Sequence, residues 1–368
     1  MSTSRLFAFV FLFAFTAATL VAQPKDTVDE AWKAWGENKQ TEVEAKLTAT
    51  LKQDPANTRA ALALFFLYRL QEKHDKAWSA LKPVLQGNDN PYPYIFAEWT
   101  SLALRNQLTA ESPEGLSLHA KWLASADPNG ILKAMAGEQL GAHYRNKGNL
   151  LKSDELYKGL NAIKTWALIG PFENISAGGF EKAYPPEKEF APTQNYIARN
   201  GVPAKWFVPS AWRPDYWVDL NRYFDVKNAI FYGNSFVYSP KKQMVQLRIG
   251  TSGAVKVFLN DEPALSCFEE SNNDLDTYIV ETELQEGWNR VLVKIGASEI
   301  DNCNFMVRVT DRSGEPLVGA QFTTEAKPYS SRPGVVANSI ENFAEAFFKA
   351  KIKAAPEHLE NYVLLADA

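Results

Sequence analysis

The chain has 368 residues, and its 39 Lys and Arg nearly balance 43 Asp and Glu, leaving a formal net charge of −4. No basic stripe stands out, so the electrostatic footprint of a nucleic-acid binder is missing. A hydrophobic share of 46% excludes a disordered or fibrous chain, and at about 100–200 residues per domain the length calls for two or three domains, each with its own core.

Met1–Gln23 carries Arg5, an unbroken apolar run from Leu6 to Phe15, and then small residues before Pro24. A membrane span needs about 20 apolar residues, and this run is shorter. The pattern predicts a cleaved secretory signal peptide over 1–23, a periplasmic or secreted mature chain, and no stable membrane insertion after cleavage.

From Val28 to Leu160 apolar residues recur at helical spacing: Val28, Ala31, Trp32 and Trp35, then Val43, Leu47 and Leu51, then Trp78, Leu81 and Leu85, then Leu156 and Leu160. Breaks at Asp54-Pro55-Ala56-Asn57 and Asp127-Pro128-Asn129-Gly130 supply residues that stop one helix and cap the next. A stack of helical hairpins is expected over 24–164.

Between Thr165 and Tyr329 the period changes to two. Val245, Leu247 and Ile249, then Val255, Val257 and Leu259, flank Gly250-Thr251-Ser252-Gly253, which reads as a β-hairpin with one face buried and Gln246, Arg248 and Lys256 on the other. Val291, Val293 and Ile295, then Phe305, Val307 and Val309, give two further strands. Short alternating strands without intervening helices predict an antiparallel β-sandwich over 165–330. The remaining segment, 331–368, returns to helical spacing and ends with Tyr362, Leu365 and Ala366 on one face; it is expected to begin a second helical array that a longer protein would continue. The fold class is therefore α+β and multidomain.

Two stretches carry family resemblances. Lys147-Gly148-Asn149-Leu150-Leu151-Lys152-Ser153-Asp154-Glu155-Leu156-Tyr157 resembles the turn and second helix of a tetratricopeptide repeat, and Ala344–Ala350 with Ala355–Tyr362 resembles the junction of two such repeats. Trp166–Phe172, Tyr184–Glu187, Ala254–Asp261 and Glu286–Lys294 resemble the galactose-binding-like jelly roll of bacterial exported proteins, over about Thr165–Phe322. In large relatives that module precedes a transglutaminase-like or peptidase module. The resemblance implies a binding or accessory role.

For chemistry, the four His lie at positions 74, 119, 143 and 358, all in the helical parts, so a Ser-His-Asp or Cys-His arrangement on the sandwich has no local base. The carboxylates Glu269, Glu270, Asp274 and Asp276 with Asn272 and Asn273 offer hard oxygen ligands, but without the spacing of a calcium loop they read as a solvated acidic loop. No Gly-rich phosphate cradle follows a strand and opens a helix, so no cofactor is expected. The two cysteines, Cys267 and Cys303, each lie beside an expected strand and are candidates for a disulfide.

The most suggestive surface feature is Lys205–Trp217, an aromatic-rich stretch broken by Pro209 and Pro214. Ring stacking on a sugar or peptide by Trp206, Trp212, Tyr216 and Trp217, with Arg213 or Asp215 bonding hydroxyls, is the binding reading; burial of Trp206 and Trp217 as plugs of the sandwich is the structural one. The function expected is an exported, non-catalytic binding and assembly module recognising a partner protein or a glycan. The alternative is an accessory N-terminal region of a transglutaminase-like or peptidase protein.

Overall fold

The computed structural model describes residues 27–368 apart from 89, 100, 128, 225, 226, 299 and 332–336. The expected signal segment, Met1–Gln23, lies outside the described residues. The architecture is α+β, helices followed by antiparallel sheets, with no closed barrel among the described residues. Among the described residues no helix is long and apolar enough to cross a membrane. The chain divides into two compact units, one formed by residues up to Leu118 together with Glu341–Ala368, the other by His119–Ile340.

The first unit contains α1 (Thr27–Gly36), α2 (Gln40–Gln53), α3 (Thr58–Leu70), α4 (His74–Gly87), α5 (Tyr92–Ala97), α6 (Leu102–Leu108) and the start of α7 (Pro113–Ala124). Its centre is α3, because every residue from Ala60 to Tyr68 is buried. Asn57 starts that helix by accepting the Ala60 N–H at 2.9 Å. Of the positions that carry the helical period in this part of the sequence, Val28, Val43, Leu47, Trp78, Leu81 and Leu85 are buried, and Trp35 and Leu51 are partly exposed.

After the second unit the chain returns as α10 and α11 (Phe343–Ala354 and Leu359–Asp367). Phe348 and Leu364 are fully buried in this unit. Arg59 Nε donates to Glu360 Oε1 at 2.6 Å, and Arg69 Nη1 to Asp367 Oδ2 at 2.8 Å, so two arginines of α3 hold the last helix.

The second unit begins with the hairpin of α8 (Ile131–Asn146) and α9 (Leu150–Gly159) and continues into two antiparallel sheets. Strands β1 (Ala167–Glu173), β5 (Ala229–Ser239), β10 (Gly287–Ala297), β7 (Ala254–Leu259) and β8 (Glu262–Cys267) form one sheet in that spatial order, with β12 (Gln321–Thr323) also on β5. The other sheet runs β13 (Asn338–Ile340), β9 (Tyr278–Leu284), β6 (Gln243–Ser252), β11 (Asn304–Thr310), β4 (Val218–Asp219). A short ladder pairs β2 (Tyr196–Ile197) with β3 (Pro203–Ala204). The two large sheets face each other across one core, to which Val245, Leu247, Ile249 and Val307 come from one side and Val255, Val257, Val293 and Ile295 from the other.

The hairpin expected between Val245–Ile249 and Val255–Leu259 does not form. At Gly253, whose φ is +122°, the chain leaves β6 in one sheet and enters β7 in the other. Both strands bury one face in the same core, so their alternation is identical to that of a hairpin. The true hairpin of this stretch is β7–β8, turned by Asn260 and Asp261 at φ +51° and +72°, the pair of positive angles that a type I′ turn requires.

The polar positions of the alternation are not all on a wet face. Arg248 and Arg308 are at 0% and 2% exposure. Arg308 Nε donates to Leu160 O at 2.7 Å, and Gly314 Cα would lie 2.8 Å from a methyl group on Gly130, so the α8–α9 hairpin and the 311–315 turn lie over this sheet. On the opposite sheet Arg290 and Lys294 are likewise buried. Arg290 donates to Asn234 Oδ1, Asp261 Oδ1 and Pro186 O at 2.7–2.8 Å, and Lys294 to Lys182 O and Glu187 Oε1 at 2.7 and 2.8 Å. These bonds fasten the segment after β1 over the outer face, where it builds a second core with Phe172, Phe180, Tyr184 and Trp206.

Candidate functional site

The stretch from Lys205 to Trp217 connects β3 to β4 in the second unit. Its first part is anchored: Trp206 is only 5% exposed, packs edge-on to Phe190 at 5.1 Å, and belongs to the second core. That removes Trp206 from the binding residues, because an indole enclosed on that outer face has no area to give a ligand. The next residue pairs its backbone with β1, Phe207 N–H to Leu168 O at 3.0 Å and Leu168 N–H to Phe207 O at 2.8 Å.

Beyond this anchor the side chains turn outward. Phe207 is 39% and Val208 51% exposed. Phe207 meets Tyr223 and Phe224 at ring separations of 6.1 and 5.8 Å, and Trp212, half-buried, meets Tyr223 at 6.5 Å. Phe224 continues the contact inward to Phe231 at 4.7 Å. The Tyr223 hydroxyl donates to Ala211 O at 3.1 Å and holds the strand-free stretch against these rings. The result is an aromatic face rooted in the core and part-open to solvent.

Beside it, Arg213 and Asp215 form a two-pronged ion pair, Nη2 to Oδ2 at 2.6 Å and Nε to Oδ1 at 3.0 Å, the geometry in which a guanidinium and a carboxylate orient each other most firmly. Asp215 Oδ1 also accepts the Trp217 backbone N–H at 3.3 Å. Tyr216 adopts φ +65°, and its ring lies 5.8 Å from Lys164 Nζ. These contacts fix the turn.

Trp217 points the other way. Its indole Nε1 donates to Glu138 Oε1 of α8 at 2.6 Å. The ring lies where Gly250 lacks a side chain: a methyl group there would sit 2.6 Å from Trp217 Cη2 and 2.7 Å from Asp274 O. Glu138, Trp217 and the turn that carries Asp274 therefore meet. Burial pushes the Glu138 carboxyl up to about 8, the negative field of Asp274 adding to it and the Trp217 hydrogen bond opposing it. Burial is also the main cause that lifts Asp274, to about 6. Two such neighbouring acids titrate as a pair.

The acidic stretch expected to be a solvated loop is instead tied into the fold. Glu270 accepts from Ser298 N–H and Oγ at 2.8 and 2.6 Å. Asn273 Nδ2 donates to Tyr278 Oη at 3.2 Å. Asp276 Oδ2 accepts from Arg248 Nη1 at 3.1 Å and from Arg308 Nη1. Among the described residues no group of three or more His, Cys, Asp or Glu could hold a metal ion. The sequence reading missed Glu138; its signal was a lone carboxylate in the helical run Ala134-Met135-Ala136-Gly137-Glu138-Gln139-Leu140-Gly141, whose small and apolar neighbours mark a buried helix.

Cys267 and Cys303, the disulfide candidates, are both free. Cys267 stands on the outer strand β8, where its Sγ lies 3.2 Å from Tyr278 Oη. Cys303 leads into β11 of the other sheet and is enclosed, so burial drives its thiol well above the usual range.

No protein-family model matches the chain, and no curated protein matches it. It is similar in part to the β-glucosidase from Kluyveromyces marxianus in complex with glucose, with 14% identity and a TM-score of 0.26 over 42% of this chain and 18% of that one. The selenomethionine-labelled form of the same enzyme gives 13% identity and 0.26 over 42% and 19%. The chain thus spans less than one fifth of the glucosidase. A likeness of that depth carries no argument about activity.

Proposed function

We propose that this chain is an exported, non-catalytic binding module that recognises a glycan or a partner protein through the aromatic face of Phe207, Trp212 and Tyr223. In this reading residues 24–164 and 331–368 are helical-repeat segments of the tetratricopeptide kind, and 165–330 is a jelly roll of the galactose-binding-like kind. The carrying observation is the set of part-exposed rings on a strand-free stretch, backed by core aromatics and flanked by the Arg213–Asp215 pair. Pre-fixed rings lose little freedom on binding. A sugar face fits them best, because its C–H side covers the rings while its hydroxyls meet the paired charges at the edge.

Covering about 100 Å² of ring surface at ~25 cal/mol per Å² is worth about 2.5 kcal/mol. Loss of the Trp212 ring should therefore weaken binding at least tenfold. The test is a glycan array with the mature chain, followed by titration of the glycans it retains against Trp212→Ala. The expected result is that loss of affinity with the fold retained in the amide spectrum, while the melting transition falls by the packing that Trp212 gives to Tyr223. A variant that binds as tightly as the parent, while Asp274→Ala does not, would move the site to the turn before β9.

A further inference from the structure

The stretch that carries the aromatic face is held at its two ends. At the first end stand the Phe207–Leu168 backbone pair and buried Trp206; at the second stands Trp217, bonded to Glu138 and seated against Gly250. Between them the chain crosses Pro209 and Pro214, which have no backbone N–H to pair. It is steadied there by the Tyr216 N–H to Arg213 O turn bond and by Tyr223 on Ala211. The second anchor, Trp217 together with the β4–β11 pairing that follows it, therefore limits where Trp212 and Arg213 lie. Its side-chain part depends on a carboxyl, and a carboxyl exists in two charge states.

We propose that Glu138 is the positioning residue of the recognition stretch, gripping the Trp217 indole from α8, and that the grip is linked to the proton it exchanges in the presence of Asp274. The inference rests on reading 206–217 as the recognition stretch. The groups whose fields meet the Glu138 carboxyl are Asp274 from the turn before β9, Asp215 and Arg213 from the stretch itself, Tyr157 from α9 and Arg308 from β11. Asp276 acts on Asp274 in turn. Either form of the carboxyl accepts the indole N–H. The ionised form bonds it more strongly, but it places a second negative charge beside Asp274. The Glu138 value is raised, to about 8, so the neutral form is favoured in the folded chain. Rising pH through that value adds the repelling charge; the stability that the neutral acid contributes is full below the ordinary carboxyl value of 4.5, falls as pH rises from there, and is gone once pH passes about 8.

The indole itself reports this without any ligand. In the mature chain labelled with ¹⁵N at its Trp indoles, the Trp217 resonance is identified by its loss in Trp217→Phe and followed from pH 5 to pH 10. It should titrate with a midpoint near 8. Glu138→Gln should keep the resonance and abolish the titration, since the amide oxygen still accepts the N–H. Asp274→Asn should lower the midpoint by about one unit, because a neighbouring like charge has been removed. A second readout addresses positioning: hydrogen exchange of the bonded Tyr216 and Trp217 amides should quicken at least tenfold in Glu138→Ala and stay near the parent rate in Glu138→Gln. An indole that does not titrate, one that still titrates in Glu138→Gln, or an unaltered exchange rate in Glu138→Ala would overturn the proposal. Both measurements are independent of glycan binding, so a failed array would overturn the recognition reading, whereas these two readouts alone decide the Glu138–Trp217 linkage.

Discussion

Asp276→Asn is the sharpest perturbation of the frame that carries the site. Asp276 lies at the end of the acidic turn with both Arg248 and Arg308 on its Oδ2, and the three side chains are at most 2% exposed. Its φ is +57°, a conformation that Asn tolerates as well as Asp, so the backbone contribution stays constant and the side chain loses its charge and exchanges one acceptor oxygen for an NH2. Breaking a buried ion pair by removing one partner costs about 3–5 kcal/mol. The lower end applies here: the Asn carbonyl still accepts, Arg248 keeps Gln246 Oε1 at 2.7 Å, and Arg308 keeps Leu160 O at 2.7 Å.

With an urea dependence of about 2–3 kcal/mol per molar, a loss of about 3 kcal/mol moves the midpoint down by about 1 M or more. The helical unit would blur a global signal, so the transition is best followed by hydrogen exchange of peptides from β6 and β11, which hold the two arginines. Adding Arg248→Met and Arg308→Met to Asp276→Asn should restore much of the loss, because no uncompensated buried cation then remains. A midpoint shift under about 0.3 M for Asp276→Asn alone would refute the argument, since it would mean that the arginines meet their charge needs elsewhere.

Two further outcomes follow from particular contacts. Gly250→Ala forces a methyl group against Trp217 Cη2 and the Asp274 carbonyl, both under 3 Å away, and should cost about 1–3 kcal/mol as those groups shift; a full-strength variant with an unmoved Trp217 indole resonance would contradict this seating. Native-state thiol labelling should modify half-buried Cys267 and leave enclosed Cys303 unreacted until the unit unfolds, and labelling of both at equal rates would refute the packing of Cys303.

How far the candidate site was legible in the sequence follows from what a local pattern records. The Pro-broken aromatic stretch announced itself by composition, and it is the stretch on which the proposed binding surface rests. Composition could not say which indoles are enclosed. Trp206 and Trp212 are both large rings within three residues of a proline, yet one is sealed under the segment that Arg290 and Lys294 fasten down, and the other stays half-open against Tyr223. The partner of Trp217 lies on α8, 79 positions earlier in the chain, a separation at which no motif or spacing rule operates.

The sequence by itself determined the change of period from helix to strand and the apolar faces of α1, α2 and α4 and of β6, β7, β10 and β11. Each of these follows from the geometry of a single element, 3.6 residues per turn or two per pleat. Tertiary structure alone decided which sheet each strand joins, because β6 and β7 show the same alternation whether they pair with each other or face each other across a core. It also decided that Arg248 and Arg308, polar positions of an ordinary amphipathic strand, are dry. Whether the outer face of a sheet meets water depends on what the rest of the chain lays over it, and the pleat of the strand carries no record of that cover.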